Sequence, residues 1–466
     1  MENFWDYSVW GTLNLVSVLL VSLLAANTLK RKIKLLRVSL IPTSVLGGGI
    51  LLIIAGIYNV VTGETMFDAA FFGGNGTATL EIITYHALAL GFIASALKNS
   101  EGKMSKQRSS EIFNTGVTTV STYILQAIVG FSITIIATFI MKDFFASAGV
   151  LLPFGYGQGP GQAMNYGNIY ENDFGFVGGK SFGLTVAAFG FISAALGGVI
   201  HLNLLRRKGI ITIAATKNEG IIEADAVQGE NEIPMQDSMD KITFQIAFVF
   251  AAYSIAYFMM MGLGMLLPGM RSVIFGFNFL LGVVAATIIK TIVKTLRKTK
   301  LMGREYVNNF LLTRISNFFF DIMVVASIAA IRLGIFQKYW GILVTLGVAG
   351  ALVTYFYLHF VSVKFWPEYK EEQFLAMYGM LTGTASTGVV LLREIDPEFK
   401  TPVADNLVYQ NFPAIVFGFP LMLLATLAPV KPYLTLALMV VFFVVMNIIL
   451  FRSAIFKTRK KEKTKQ

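Results

Sequence analysis

The chain of 466 residues contains no cysteine. That excludes a disulfide framework, a cysteine nucleophile, a thiolate zinc site and an iron–sulfur cluster. Its three histidines, His86, His201 and His359, lie far apart, which argues against a histidine metal cluster. Charge is scarce too. Asp, Glu, Lys and Arg make up 14% of the residues, against about 25% in a soluble domain. The longest polar stretch runs only from Arg206 to Lys241, so no folded soluble domain is evident. The N-terminus lacks the basic start and small-residue cleavage site of a secretory signal, and no cleavable leader is expected. There is no H-E-x-x-H, no G-x-S-x-G and no cluster of His and Asp within an apolar run, so an intramembrane enzyme is not expected.

Apolar residues are what the chain has in quantity: 55% hydrophobic, mean hydropathy +0.66. Spanning hydrocarbon as a helix takes about 20 apolar residues. Eleven runs qualify, at 8–28, 39–61, 80–97, 112–141, 181–204, 242–268, 272–292, 306–331, 339–362, 408–429 and 432–451. Two more, 145–170 and 373–395, are interrupted by glycine and polar residues. The net charge of +11 sits in short runs between these segments. It reads as membrane topology, not as a nucleic-acid surface.

Basic residues mark the cytoplasmic side. Lys30–Arg37, Lys98–Arg108, Arg206–Lys208, Lys290–Arg304 and the tail from Arg452 to Lys465 are the basic runs. All of them face the cytoplasm if the N-terminus is outside and both interrupted segments return to the side they entered from. Full crossings would move several of these runs outside. The sequence therefore predicts that 145–170 is re-entrant from outside and 373–395 from the cytoplasm, with the C-terminus inside.

Each half then reads as four spans, one interrupted segment and one span. Five spans is odd, so the second copy is inverted. Residues 1–205 form one repeat, 206–241 a polar cytoplasmic linker, 242–430 the inverted repeat, and 431–466 an extra span with a basic tail. Inverted repeats with interrupted helices near the midplane recur in secondary transporters.

The first interruption reads GYGQGPGQAMNYG, from Gly155 to Gly167. Five glycines and a proline in thirteen residues do not make a straight helix. Freed backbone groups at membrane depth must line a cavity or be buried in protein. Gly157 and Gly159 allow N–H groups to approach an anion, and Gln158, Gln162 and Asn165 add neutral donors and acceptors. Close packing through small residues is the alternative. The second interruption, Gly379 to Gly388, offers Thr382, Gly383, Thr384, Ser386 and Thr387. Hydroxyl and carbonyl oxygens suit a dehydrated cation, and half-helix N-termini suit a carboxylate. Back-bonding within an ordinary helix is the alternative for the hydroxyls.

The order of spans resembles the bacterial sodium:glutamate symporter family. So do GYGQGPGQAMNYG, the mirrored YGMLTGTASTGVV, and the openings IPTSVLGGG and LPGMRSVIFGF. The likeness covers nearly the whole chain except the last span and tail. It implies an all-α polytopic fold of two inverted halves, with two re-entrant loops meeting at a central site. It also implies sodium coupling, uptake of an acidic amino acid across the bacterial plasma membrane, and a homodimer working by an elevator-like movement. Where family members carry a Gly-His-Gly-Thr type sequence, this chain has Gly155-Tyr156-Gly157-Gln158.

Charges inside spans add candidates. Arg314, Asn317 and Asp321 share a face of the run at 306–331. A charge at membrane depth costs about 2.5–3.5 kcal/mol on insertion scales and often has a function. The expected substrate contacts are thus Gly157, Gln158, Gly159, Gln162, Asn165, Thr382, Gly383, Thr384 and Arg314. The expected sodium ligands are Asp321, Asn317, Ser386 and Thr387. No cofactor other than the coupling Na+ is expected. His86, within the third span, together with Asp321, keeps a proton-coupled or exchange carrier for another small organic anion as the alternative. His201 and His359 read as interfacial. Gln410 and Asn411 read as further candidates at the start of the next-to-last span.

Overall fold

In hydrocarbon a segment must satisfy its own backbone N–H and C=O groups, and the apolar runs accordingly become helices. The computed structural model describes residues 3–99, 106–210, 232, 239–397 and 399–452. Every regular element among them is helical. We label α1 Tyr7–Lys32, α2 Thr43–Thr62, α3 Gly76–Leu97, α4 Lys106–Ile140, α5 Leu151–Tyr156, α6 Pro160–Phe174, α7 Gly179–Arg207 and α8 Lys241–Leu266. There follow α9 Asn278–Lys298, α10 Asn309–Ala329, α11 Leu333–Phe365, α12 Lys370–Thr382, α13 Ala385–Arg393, α14 Val403–Tyr409, α15 Asn411–Leu427 and α16 Pro432–Leu450.

Ten helices among the described residues are long and apolar enough to cross a bilayer, and α14 with α15, bent by 50°, makes up to eleven. The chain is a polytopic membrane protein. These helices lie over the eleven runs read from the sequence. Several boundaries differ: α4 and α11 each begin six residues before their runs, and α9 begins at Asn278 and not at 272 because Arg271–Gly276 is a separate short helix. Local chemistry sets other ends. Asn308 caps α10 by accepting from Leu311 N at 2.8 Å, and Asp240 caps α8 by accepting from Ile242 N at 2.8 Å. Such caps satisfy donors that a helix start leaves open. The linker expected at 206–241 falls almost wholly outside the described residues, and the basic tail after Arg452 falls outside them entirely.

Two compact units are present. The first takes Met1–Ala26, Leu46–Lys103 and Ala215–Ala330, and so holds most of α1 and α2 with α3, α8, α9 and α10. Its core is built from Leu90, Ile93 and Ala94 of α3, Ala252 and Ala256 of α8, Ala285 and Ala286 of α9, and Leu312 and Ile315 of α10. Small residues let these helices approach closely, as in other membrane bundles. Ser316 Oγ donates to Gly91 O at 2.8 Å across one such contact.

The second unit takes Asn27–Val45, Met104–Ala214 and Ile331–Gln466, and holds α4 to α7 and α11 to α16. Its core includes Leu202 and Leu205 of α7, Leu358 of α11, Phe374, Leu375, Met377 and Tyr378 of α12, and Leu391 and Leu392 of α13. Both interrupted segments lie in this unit. Neither is a straight helix: each is two short helices joined by a two- or three-residue break.

Candidate functional site

In the first hairpin α5 ends at Tyr156, where the N–H groups of Gly157 and Gln158 both donate to Pro153 O, at 2.9 and 3.2 Å. The chain turns at Gly159, with φ +89° and ψ 173°, a conformation open to glycine and strained for other residues. Pro160 then starts α6 at the first helical position, where no N–H is needed. The break is therefore shorter than the sequence suggests, and most of the glycine-rich stretch is helical. Phe154 and Tyr166 stack across the hairpin with ring centroids 4.0 Å apart. Gln162, 1% exposed, accepts from Asn165 Nδ2 at 3.3 Å through its Oε1, while its Nε2 has no partner. Gln158 Oε1 has no partner either.

In the second hairpin α12 ends at Thr382 and α13 starts at Ala385. The two run antiparallel in close contact: a Cβ placed on Gly379 would lie 2.8 Å from Gly388 Cα and 2.9 Å from Leu391 Cδ1. Thr384 caps α13, accepting from Thr387 N at 3.4 Å. Thr382 Oγ1 donates to Tyr378 O at 2.6 Å, so its hydroxyl is taken up by its own helix. Thr387 is buried and its hydroxyl lies 3.2 Å from that of Thr384, whereas Ser386 is exposed.

The two breaks come together between α4 and α7. On the α7 side, a Cβ at Gly190 would collide with Thr382 O and approach Tyr156 Cδ2 at 3.2 Å. One turn on, Ser193 Oγ lies 2.9 Å from Tyr156 OH, and Ser193 O accepts from Tyr378 OH at 3.1 Å. On the α4 side, Tyr123 OH donates to Gly157 O at 3.0 Å. Gln126 Nε2 donates to Leu381 O at 2.9 Å and to Thr354 Oγ1 at 2.8 Å. The same two helices thus hold the ends of both hairpins. Gln126 is fully buried and its Oε1 has no partner.

The arrangement offers both polarities. The N-terminal ends of α6 and α13 present N–H groups and positive dipole ends, which favour an anion. The C-terminal ends of α5 and α12 present carbonyls, joined by the unpartnered oxygens of Gln126 and Gln158, which favour a cation or an ammonium group. No charged side chain of either hairpin stands at the breaks. A separate cavity of about 440 Å³, walled by Phe144, Phe145, Phe176 and Tyr339, lies at the base of α6 and not at its tip.

Of the expected substrate and cation contacts, Gly157, Gln158, Gly159, Gln162 and Asn165 lie in the first hairpin and Thr382, Gly383, Thr384, Ser386 and Thr387 in the second, and the ends of the two breaks, Tyr156 and Thr382, meet at Gly190. Arg314, Asn317 and Asp321 belong to α10 of the other unit, where all three side chains are exposed and the Arg314 guanidinium stacks over Phe310 at 5.0 Å. His86 Nδ1 lies 2.6 Å from Tyr253 OH, also in that unit. His201, six residues from the C-terminal end of α7, is packed inside the protein. It is 4% exposed, with Nδ1 2.7 Å from Tyr355 OH, Nε2 2.8 Å from Glu371 Oε2, and its ring 5.9 Å from that of His359. The His201 hydrogen bond, against the opposing effect of burial, holds the Glu371 carboxyl below its ordinary range. Tyr123, Gln126 and Ser193 were not legible as site residues. The polar stripe Thr115, Thr119, Thr122 and Gln126, at helical spacing in an apolar segment, was the available signal.

The chain matches no known protein-family model and no curated protein.

Proposed function

We propose that this protein is a secondary active transporter of the sodium:glutamate symporter type, coupling inward movement of Na+ to uptake of glutamate or a related small carboxylate. One observation carries the reading: two interrupted hairpins converge on Gly190 of α7, with two helix N-termini and two helix C-termini at the breaks. That supplies opposite polarities at one place, as an anion and a coupling cation need. The division into units supports inverted repeats as well. Each unit takes its helices from both halves in matching order, α1–α3 with α8–α10, and α4–α7 with α11–α15. A mobile hairpin unit against a fixed partner, an elevator, is the movement we propose. A homodimer in the bacterial plasma membrane, N-terminus outside and C-terminus cytoplasmic, completes the proposal.

A proton-coupled or exchange carrier is the second reading, favoured by the buried His201 with the half-buried Tyr355 and Glu371 at the foot of α12. Purified protein in liposomes separates the two. Labelled glutamate should accumulate when an inward sodium gradient is imposed, and should not when a proton gradient replaces it. Accumulation driven by protons without sodium would establish the second reading, and no accumulation of any small carboxylate would refute both.

A further inference from the structure

Helix α4 buries Thr115, Thr118, Thr119 and Thr122, all 0% exposed. A threonine within a membrane helix usually satisfies its hydroxyl on the carbonyl one turn back. Three do so: Thr115 donates to Glu111 O at 2.9 Å, Thr118 to Asn114 O at 2.8 Å and Thr122 to Thr118 O at 2.8 Å. Thr119 does not, and its buried hydroxyl has no partner.

Its direction is fixed by its neighbours. Thr115 faces α12, where Gln373 Nε2 reaches its hydroxyl at 3.4 Å. Gly116 faces the junction of α14 and α15, where a Cβ would lie 3.2 Å from Gln410 O. At about 100° per residue, Thr119 points between those two directions, about 40° from one and about 60° from the other. It looks into the wedge between α4, α12 and α14.

Three buried amides stand on the elements that border this wedge: Gln373 on α12, Asn406 on α14 and Gln410 at the junction of α14 and α15. Gln373, Asn406 and Gln410 are 0%, 0% and 1% exposed. Gln373 Oε1, Gln410 Oε1 and both amide atoms of Asn406 have no partner. Gln410 Nε2 is 3.5 Å from Met380 Sδ of α12, which ties the junction to that helix. Buried polar atoms are nearly always satisfied, so four unpartnered oxygens on the helices that border one wedge point to an occupant. All four are neutral oxygen donors, the ligand type of a hard cation. None is a carboxylate, and among the described residues no cluster of His, Asp and Glu is placed to hold a metal ion. The nearest acid on α4, Glu111, lies one turn below Thr115 and pairs with Arg108 at 3.3 Å. A divalent ion would need carboxylates; a monovalent one does not.

We propose that this wedge is a site for a partly dehydrated monovalent cation, sodium first among them, held by Thr119, Gln373, Asn406 and Gln410. An ion there pins the foot of α12 to α4 and α14 and so orders the second hairpin. The inference rests on the transport reading only in making this ion the coupling ion; the site itself does not depend on it.

The test uses the full chain purified in detergent, without carboxylate. Its thermal unfolding midpoint is followed as NaCl replaces choline chloride at constant ionic strength, in the wild type, Thr119→Val and Asn406→Leu. Each substitution removes unpartnered polar atoms at similar volume, so neither should lower the midpoint in choline. The wild-type midpoint should rise with sodium and saturate, as for any ligand bound only by the folded state. Even outer-shell changes weaken metal sites about 10–100-fold, so each variant should need at least about tenfold more sodium. An unaltered sodium response in both variants would place the ion elsewhere. No saturable response of the wild type to sodium, lithium or potassium would leave the wedge to water and overturn the proposal. A sodium response that depends on Thr119, in protein that takes up no carboxylate in vesicles, would uphold the site while refuting the transport reading.

Discussion

Deleting one hydroxyl probes whether α4 holds the first break in a working shape. Tyr123 OH donates to Gly157 O at 3.0 Å, and the tyrosine ring fills the space where a Gly157 side chain would stand. Tyr123→Phe keeps the ring and strips the carbonyl of its donor. A hydrogen bond contributes about 1 kcal/mol net, and a buried acceptor left unmet costs about 1–3 kcal/mol. Tyr123 and Gly157 are half-buried, so water relieves part of that, and about 1–2 kcal/mol is the expected loss. At 1.4 kcal/mol per factor of ten, this is about a five- to thirtyfold weaker half-saturation for carboxylate uptake. Tyr357→Phe is the control. Its hydroxyl donates to Asn447 Oδ1 at 3.0 Å, between α11 and α16. That variant should lose stability and keep its half-saturation. Uptake by Tyr123→Phe with wild-type half-saturation and an unchanged unfolding midpoint would show that the bond does not support the site.

Four further outcomes are expected. Gly159→Ala should destabilise the fold by about 1–3 kcal/mol of strain, read from its unfolding midpoint, because φ is +89° there; Gly269→Ala, with open space around it, should change little. Asp396→Asn should loosen the turn after α13, where the carboxylate accepts from Lys400 N, Thr401 N and Thr401 Oγ1 at 2.8, 2.9 and 2.6 Å. Burial alone raises the Asp396 carboxyl, but these donors outweigh it and hold it below the ordinary range. A lowered native value contributes stability above the unfolded pKa and loses it as pH falls through the native one. Protection of the Lys400 and Thr401 amides against hydrogen exchange, relative to the intrinsic rate at each pH, should therefore be high near neutral pH and fall below about pH 4, with the variant poorly protected throughout. Asp321→Asn, on an exposed face of the unit without the hairpins, should insert normally and keep the wild-type sodium dependence of uptake; a raised sodium requirement would bring Asp321 back into the coupling. Cysteines at Val177 and Glu368, both exposed, should react with impermeant thiol reagents from opposite sides of the membrane, and reaction from one side only would refute the inverted repeat.

Most of the helices could be read from composition, because hydrocarbon admits few alternatives to a helix and the apolar runs have the length to span it. The breaks were legible for a related reason: glycine and proline at that density announce where a helix fails. What they meet was not. Thr382 and Thr384 look alike in sequence, yet Thr382 spends its hydroxyl on Tyr378 O while Thr384 caps the next helix. That choice depends on where α12 stops. His201 precedes a run of three basic residues, which made it look interfacial. It is buried because α12, some 170 positions away in the chain, brings Glu371 and Phe374 against it. Arg314, Asn317 and Asp321 do share a helix face, as their spacing required, but spacing cannot say that the face is exposed on the unit that lacks the hairpins. Gln126 shows the limit from the other side. Its place in a polar stripe along α4 was visible, and such a stripe in an apolar helix must face protein or a polar occupant. Only the fold reveals that the stripe runs from the wedge at Gln373 and Thr119 up to Leu381 O at the second break. One helix face therefore joins the proposed cation site to the proposed substrate site. A cation that orders α12 at its foot would act on the anion through the carbonyl end of that same helix, which is a physical route for coupling two ligands without direct contact between them.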